Sequence, residues 1–434
     1  MTLLSRSPLS PEALLISSGS EWFSLAEITD LVETRARVLR EVRESLSANG
    51  LVHTFEVEPD VEGVVELLAA WRAGFIAAPL NPRLSEAARD EARKSLAMGN
   101  PPEGSCSILW TSGTSGRPRG VALSWENFEA NAHGSAARLS LCRDDVWMAS
   151  LSLAHIGGLA LITRSILLGN QLIAPGKFNV SDTVTLLEDE EGPTHMSLVP
   201  TQLHRLLDEW GTRGAPQRLK CVLIGGAHAP LGLVNRAVDS GWPVALTYGA
   251  TEMSSQIATA GPEEVRAGRR DVGCPLQGVE VRVSHDGELM TRGATRALGY
   301  VGNEVGKLAD GDGWYSTGDM GVIEEGGRLS ITGRRIDRIV TGGVTIDAIE
   351  VEERLRLHPA VTDICVVGVP DEVWGERVAA WIEPVVSNFD LDEFESWAAN
   401  EMSAASRPRM WKVGDVLPRN ANGKVDRTRV RSAF

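Results

Sequence analysis

The chain has 434 residues, 43% hydrophobic and 23% charged, which is enough to bury a large core in two or three domains and excludes a disordered protein. Its net charge of −15 disfavours nonspecific nucleic-acid binding, so any anionic ligand has to be drawn in by basic groups placed locally. Five cysteines at 106, 142, 221, 274 and 365 include no CxxC pair, which argues against a disulfide framework or zinc site and for a reducing, cytoplasmic setting.

In chain order, the opening MTLLSRSPLSPEALL lacks a charged segment followed by an apolar one, so no signal peptide is expected. Residues 25–46 and 61–72 carry helical patterns, and GFIAAPLNPRLS reads as a strand and turn. Between about 105 and 250, short apolar runs at 105–110, 146–150, 171–174, 196–199, 221–224 and 244–248 alternate with amphipathic segments at 124–139, 157–168, 181–190, 201–210 and 231–240. Such βα alternation predicts a largely parallel sheet covered by helices, with ligands beyond the carboxyl ends of its strands. The longest apolar stretch, 151–168, holds His155, Thr163 and Arg164 and is expected to be a buried helix, not a membrane span.

Past Gly273 the period shortens. Asp286-Gly287 splits strand patterns at 279–283 and 288–290, and Gly326-Gly327 splits 322–324 from 329–331, predicting an antiparallel meander or small barrel. From Asp337, a helix at 348–357, strands at 364–369 and 378–382 and a helix at 391–402 suit a small α+β domain. The expected fold is therefore α/β. A large N-terminal domain of layered α/β subdomains with a β-barrel-like region spans 1–335, and a small C-terminal domain spans 336–434.

The segment TSGTSGRPRG, residues 111–120, packs glycines that let backbone N–H groups converge with hydroxyls from Thr111, Ser112, Thr114 and Ser115. Arg117 and Arg119 add positive charge, and Ser124 is a candidate N-cap for the next helix. Alone, the loop reads equally as an anion cradle or a flexible linker, and it is no Walker A motif.

TSGTSGRPRG resembles the phosphate loop of the adenylate-forming superfamily, usually TSGTTGKPKG, with Ser115 for threonine and arginines for both lysines. The resemblance implies that Thr111, Ser112, Gly113, Thr114, Ser115, Gly116 and Arg119 hold the β- and γ-phosphates of ATP. IGGAHAPL at 224–231 resembles the segment lying against adenine, implying contacts from Gly225, Gly226 and Ala227. YGATEMSSQ at 248–256 resembles the motif whose tyrosine covers the other adenine face, implying Tyr248 and Gly249 there, Thr251 on the α-phosphate and Glu252 on Mg²⁺. YSTGDMG at 315–321 and GRRIDRIVTGG at 333–343 imply ribose contacts from Asp319 and Arg334, a hinge at Ile336, and Gly342 and Gly343 along the pantetheine channel of coenzyme A. LPRNANGKVDR at 417–427 implies that Lys424 is the lysine bridging the attacking carboxylate and the α-phosphate.

The family reaction implied is attack of a carboxylate on ATP, giving an acyl-adenylate and pyrophosphate, then attack by a thiol with release of AMP. LSLAHIGGLALITRSILLGN resembles the acyl pocket of o-succinylbenzoate-CoA ligases of menaquinone biosynthesis, implying substrate contacts from His155 and Arg164, with Ser254 and Gln256 from the YGATEMSSQIAT run. Physically, a dicarboxylic acid needs a cation deep in an apolar pocket, because an unpaired buried carboxylate is costly. Other aryl- or fatty acyl-CoA ligases, and a non-catalytic nucleotide-binding homologue, stay open as alternatives. Expected partners are the small carboxylic acid, ATP and CoA, with no nucleic acid and no membrane span; a homo-oligomer is left open.

Overall fold

The computed structural model describes residues 3–44, 51–96, 99–112, 118–301, 308–414, 416–420 and 424–434. Its largest sheet has nine strands. Six of them run parallel at its centre in the order Val244–Ala250, Cys221–Ile224, His195–Leu198, Val146–Met148, Gln171–Ile173 and Leu14–Ser17. Ser255–Ala260 and Cys274–Pro275 extend one edge antiparallel, and Trp22–Ser24 closes the other. Val146–Met148, His195–Leu198 and Cys221–Ile224 are buried at every position, as strands covered on both faces must be.

A second sheet orders Gly299–Val301, Pro118–Leu123, Ser107–Ser112, Ile76–Leu80 and Val52–Glu56. The Ser107–Ser112 and Pro118–Leu123 hairpin carries the glycine-rich loop at its tip, and residues 113–117 of that loop lie outside the described residues. Ser124 caps the following helix, Trp125–Leu139: its hydroxyl accepts the Asn127 N–H while Asn127 Oδ1 accepts the Ser124 N–H. The helix ends at Ser140 in the left-handed region.

Helix Ile156–Leu168 is apolar around nearly its whole circumference, with Leu159, Ala160, Leu161, Ile162 and Ile166 all buried, and Gly169 at φ +73 stops it. Arg164 is its one charge. No described helix is long and apolar enough to cross a membrane.

The third sheet is an antiparallel meander, Val279–Val283, Glu288–Gly293, Tyr315–Ile323 and Leu329–Arg334, whose first and last strands do not pair among the described residues. A small C-terminal domain follows. Strands Val344–Asp347, Arg338–Thr341, Gly375–Pro384 and Val361–Asp371 are antiparallel neighbours, and Met410–Val413 joins Gly375–Pro384 in parallel. Helices Ala348–Leu355 and Leu391–Glu401 cover this sheet, and its core of Ile339, Leu355, Ile364, Val366, Ile382 and Phe394 shares no residue with the cores of the large domain.

Candidate active site

A cleft of about 1360 Å³ opens at the carboxyl ends of the parallel strands, walled by the second sheet and the meander and reached by Lys424 of the C-terminal domain. That is room for a nucleotide and a second substrate together. Gly225, Gly226 and Ala227, immediately after strand Cys221–Ile224, line it, as do Tyr248, Gly249, Thr251 and Glu252 at the end of Val244–Ala250. A bulge between Tyr248 and Gly249 turns the chain here. A Cβ on Gly249 would stand 2.0 Å from the Ser255 carbonyl oxygen, so only glycine fits.

Tyr248 is buried, and its hydroxyl donates to Asp319 Oδ2 at 2.7 Å, while Arg334 Nε approaches Asp319 Oδ1 at 3.2 Å. Burial raises the Asp319 carboxyl above its ordinary range, against the pull of Arg334, Tyr248 and Lys424. Lys424 faces the same space. Desolvation and then the Arg334 charge lower its ammonium, while Asp319 works in the opposite direction. Ile336, the expected hinge, sits half-exposed in the turn Arg335–Asp337, whose flanking residues are tied down by Arg335–Glu288 at 2.9 Å and Asp337–Arg427 at 3.4 Å.

On the phosphate side, Thr111 and Arg119 line the cleft, and the Arg119 guanidinium lies 5.2 Å from the centre of the Tyr300 ring. The backbone of Ser112 ends its strand, whereas Gly113, Thr114, Ser115, Gly116 and Arg117 lie outside the described residues. Tyr300 donates its hydroxyl to Glu252 Oε1 at 3.1 Å, and burial pushes its phenol up to about 12. Among the described residues, no three His, Cys, Asp or Glu side chains gather into a cage for a metal. A single carboxylate in a nucleotide-sized cleft still fits magnesium, which takes most of its ligands from phosphates and water.

Toward the interior, His155 lies at the start of helix Ile156–Leu168 and its Nε2 is 3.2 Å from Asn81 Nδ2. Deeper still, Arg164 is only 3% exposed yet borders the cleft. Its Nη2 donates to Gln256 Oε1 at 3.1 Å, its guanidinium sits 5.2 Å from the centre of the Trp147 ring, and its Nε and Nη1 find no described partner. No described carboxylate pairs with it, and burial pushes it down to about 10. A buried guanidinium left with two open donors is an anion site by its chemistry.

Of the expected contacts, Ser254, Gly342 and Gly343 do not line the cleft. Ser254 is fully buried, in a left-handed turn at φ +55, and does not line the cleft, whereas Ser255 does. Gln256 borders the cleft beside Arg164, and its side chain also bonds Arg164, Ser135 and Thr259, so it orients the arginine. Gly342 and Gly343 form a turn away from the cleft, where a Cβ on Gly342 would meet the Trp374 ring at 2.7 Å. Tyr300 and Trp147 were not singled out in the sequence. A usable signal existed for the first: the chain has only three tyrosines, 248, 300 and 315, and all three line the cleft.

Residues 88–301 match the AMP-binding enzyme family and residues 350–424 match the AMP-binding enzyme C-terminal domain. A 2-succinylbenzoate–CoA ligase of Bacillus pumilus (strain SAFR-032) is 36% identical over 337 residues, covering 75% of this chain and 68% of the relative. The chain belongs to the AMP-binding enzyme family. The o-succinylbenzoate CoA synthetase of Bacillus subtilis, 27% identical, superposes with a TM-score of 0.89 in its complex with the acyl-adenylate OSB-AMP, covering 99% of this chain and 97% of that one. With ATP and magnesium the same enzyme gives 0.87, covering 99% and 98%; a double-mutant form bound to the product analogue OSB-NCoA gives 0.70, covering 100% and 98%. The fold is thus that of the adenylate-forming AMP-binding enzymes, the family whose motifs the six quoted segments resemble in order.

Proposed function

We propose that this AMP-binding enzyme is an ATP-dependent acid–thiol ligase that converts 2-succinylbenzoate to its CoA thioester through an acyl-adenylate. The observation that carries the choice of acid is Arg164, a buried cation with two open donors at the inner end of the cleft, suited to a second carboxylate that never reacts. A monocarboxylic acid would leave that charge buried without a counterion.

In the first step a carboxylate oxygen attacks the α-phosphorus of ATP and pyrophosphate departs. In the second, the CoA sulfur attacks the acyl carbon and AMP departs, so a poor leaving group is exchanged for a good one before the thiol arrives. Asp319 and Arg334 are assigned to the ribose, Gly225 to Ala227 and Tyr248 to the adenine, and Thr251 to the α-phosphate. Magnesium, held by Glu252, supplies charge neutralisation on the phosphates. Lys424 stabilises charge that grows between carboxylate and α-phosphate, and Thr111 and Arg119, with the glycine-rich loop, take the departing pyrophosphate.

We divide the chain at 335/336, in the turn holding Ile336. The higher TM-score to the acyl-adenylate complex than to the CoA-analogue complex supports reading this arrangement as that of the first step, which also accounts for Lys424 inside the cleft and Gly342-Gly343 outside it. The free thiols of all five cysteines suit a cytoplasmic enzyme. Pyrophosphate release and thioester formation measured across a panel of acids test the reading; a preference for a fatty or simple aryl monoacid would overturn the choice of substrate.

A further inference from the structure

Helix Ala348–Leu355 of the C-terminal domain carries two adjacent acids that reach in different directions. Glu353 Oε1 lies 2.9 Å from His228 Nε2, and Glu353 Oε2 accepts the Leu231 N–H at 3.2 Å; His228 and Leu231 both belong to the segment lining the adenine side of the cleft. Arg356 holds the same carboxylate at 3.0 Å. Burial works to raise Glu353, but His228 and Arg356 hold it below the ordinary carboxylate range, so it meets its partners ionised.

Glu352 points instead into its own domain, where its Oε1 takes Arg427 Nη2 at 2.7 Å and the Val366 N–H at 2.8 Å. Arg427 stands three residues beyond Lys424. On the other side of that turn, Arg419 pairs with Asp363 at 2.7 Å, and Asp363 also takes Arg356 Nε at 3.1 Å. The Lys424 turn is closed by its own bonds to Asn420, at 2.8 and 3.1 Å. One short helix therefore grips the adenine segment with one acid and braces the lysine turn with the next.

We infer that Glu353 is the positioning residue that docks the C-terminal domain for acyl-adenylate formation, setting through Glu352 and Arg427 where Lys424 enters the cleft. This rests on the assignment of Lys424 to the first step. The Glu352–Arg427 and Glu353–Arg356 bonds lie within the domain and travel with it, whereas the Glu353 contacts to His228 and Leu231 cross between domains and are lost whenever the C-terminal domain turns away.

The test uses the full-length enzyme with the two steps assayed separately: pyrophosphate release from acid and ATP, and thioester formation from supplied acyl-adenylate and CoA. Glu353→Gln and His228→Ala are each expected to slow the first step about tenfold, the scale of one charge-assisted hydrogen bond. The double variant should be no slower than the worse single one, and the second step should stay within about twofold of the parent. Equal loss in both steps, or an unchanged first step, overturns the docking role. His228→Ala removes the contact from an exposed loop position, so the test survives a Glu353 variant that folds poorly. Lys424→Ala, measured alongside, should lose only the first step. If it keeps pyrophosphate release, the Lys424 assignment fails on its own, separately from any result at Glu353.

Discussion

Replacing Arg164 by leucine separates a substrate role from a structural one, because the two affect different measurements. In the free protein burial pushes the guanidinium down from its ordinary range to about 10. At about 1.36 kcal/mol per unit, that is an unfavourable contribution of order 3 kcal/mol. Because the folded value lies below the unfolded one, this cost is present throughout the neutral range and is relieved only as pH rises through about 10. Leucine would remove the cost but also the Trp147 contact and the Gln256 hydrogen bond, together worth about 2–4 kcal/mol. The free protein should therefore change in stability by less than about 2 kcal/mol, since the opposing contributions nearly cancel.

The substrate has no such cancellation. A dicarboxylate would lose a charge-assisted fork worth about 3–4 kcal/mol, lowering its kcat/KM by about 10² to 10³. Activity toward a monoacid of similar shape should hold or improve. Thermal unfolding of the free enzyme and kcat/KM for the acid pair are the measurements. Parallel loss for both acids, or a stability loss above about 4 kcal/mol, would refute the anion-site argument and make Arg164 a structural residue.

Because desolvation and Arg334 depress Lys424, its ammonium is lost at a lower pH than that of an ordinary lysine. Pyrophosphate release should accordingly fall off in alkali below about pH 10.4, while thioester formation from supplied adenylate lacks that limb. Tyr300→Phe removes the hydroxyl on Glu252 but keeps the ring under Arg119. Metal binding in the presence of ATP, followed by manganese paramagnetic resonance, should weaken about three- to tenfold, and unchanged binding would deny that role. Gly249→Ala forces a Cβ against the Ser255 carbonyl and should cost about 2 kcal/mol or more of stability, visible in denaturant unfolding.

Much of this was legible before any coordinates. The alternation between residues 146 and 250 became the parallel sheet, whereas the run at 105–110 became strand Ser107–Ser112 of the second sheet; strand Cys221–Ile224 and helix Val61–Arg72 lie at the expected residues and most other ends within two or three. Periodicity and capping are local: Ser124 and Asn127 sit three residues apart and settle their helix start between themselves. The motifs are local too, so Tyr248, Glu252, Asp319 and Lys424 could each be named from a few neighbours, and the structure brings them to one cleft.

What sequence alone left undecided was which side chain spends its polar atoms on which other. Tyr248 and Asp319 are 71 residues apart, Arg164 and Gln256 92, His228 and Glu353 125. Nothing near any of these residues predicts its partner, because burial and orientation come from how whole sheets and domains pack. That packing joined Gln256 to Arg164 at the edge of the cleft, buried Ser254, and left Gly342-Gly343 outside the cleft. The chain's local chemistry thus determined the elements and the types of group at the site, while tertiary packing decided which groups remain open to a ligand. Arg164 is such a group, because the fold buries it with a ring and an amide but, among the described residues, without a counterion.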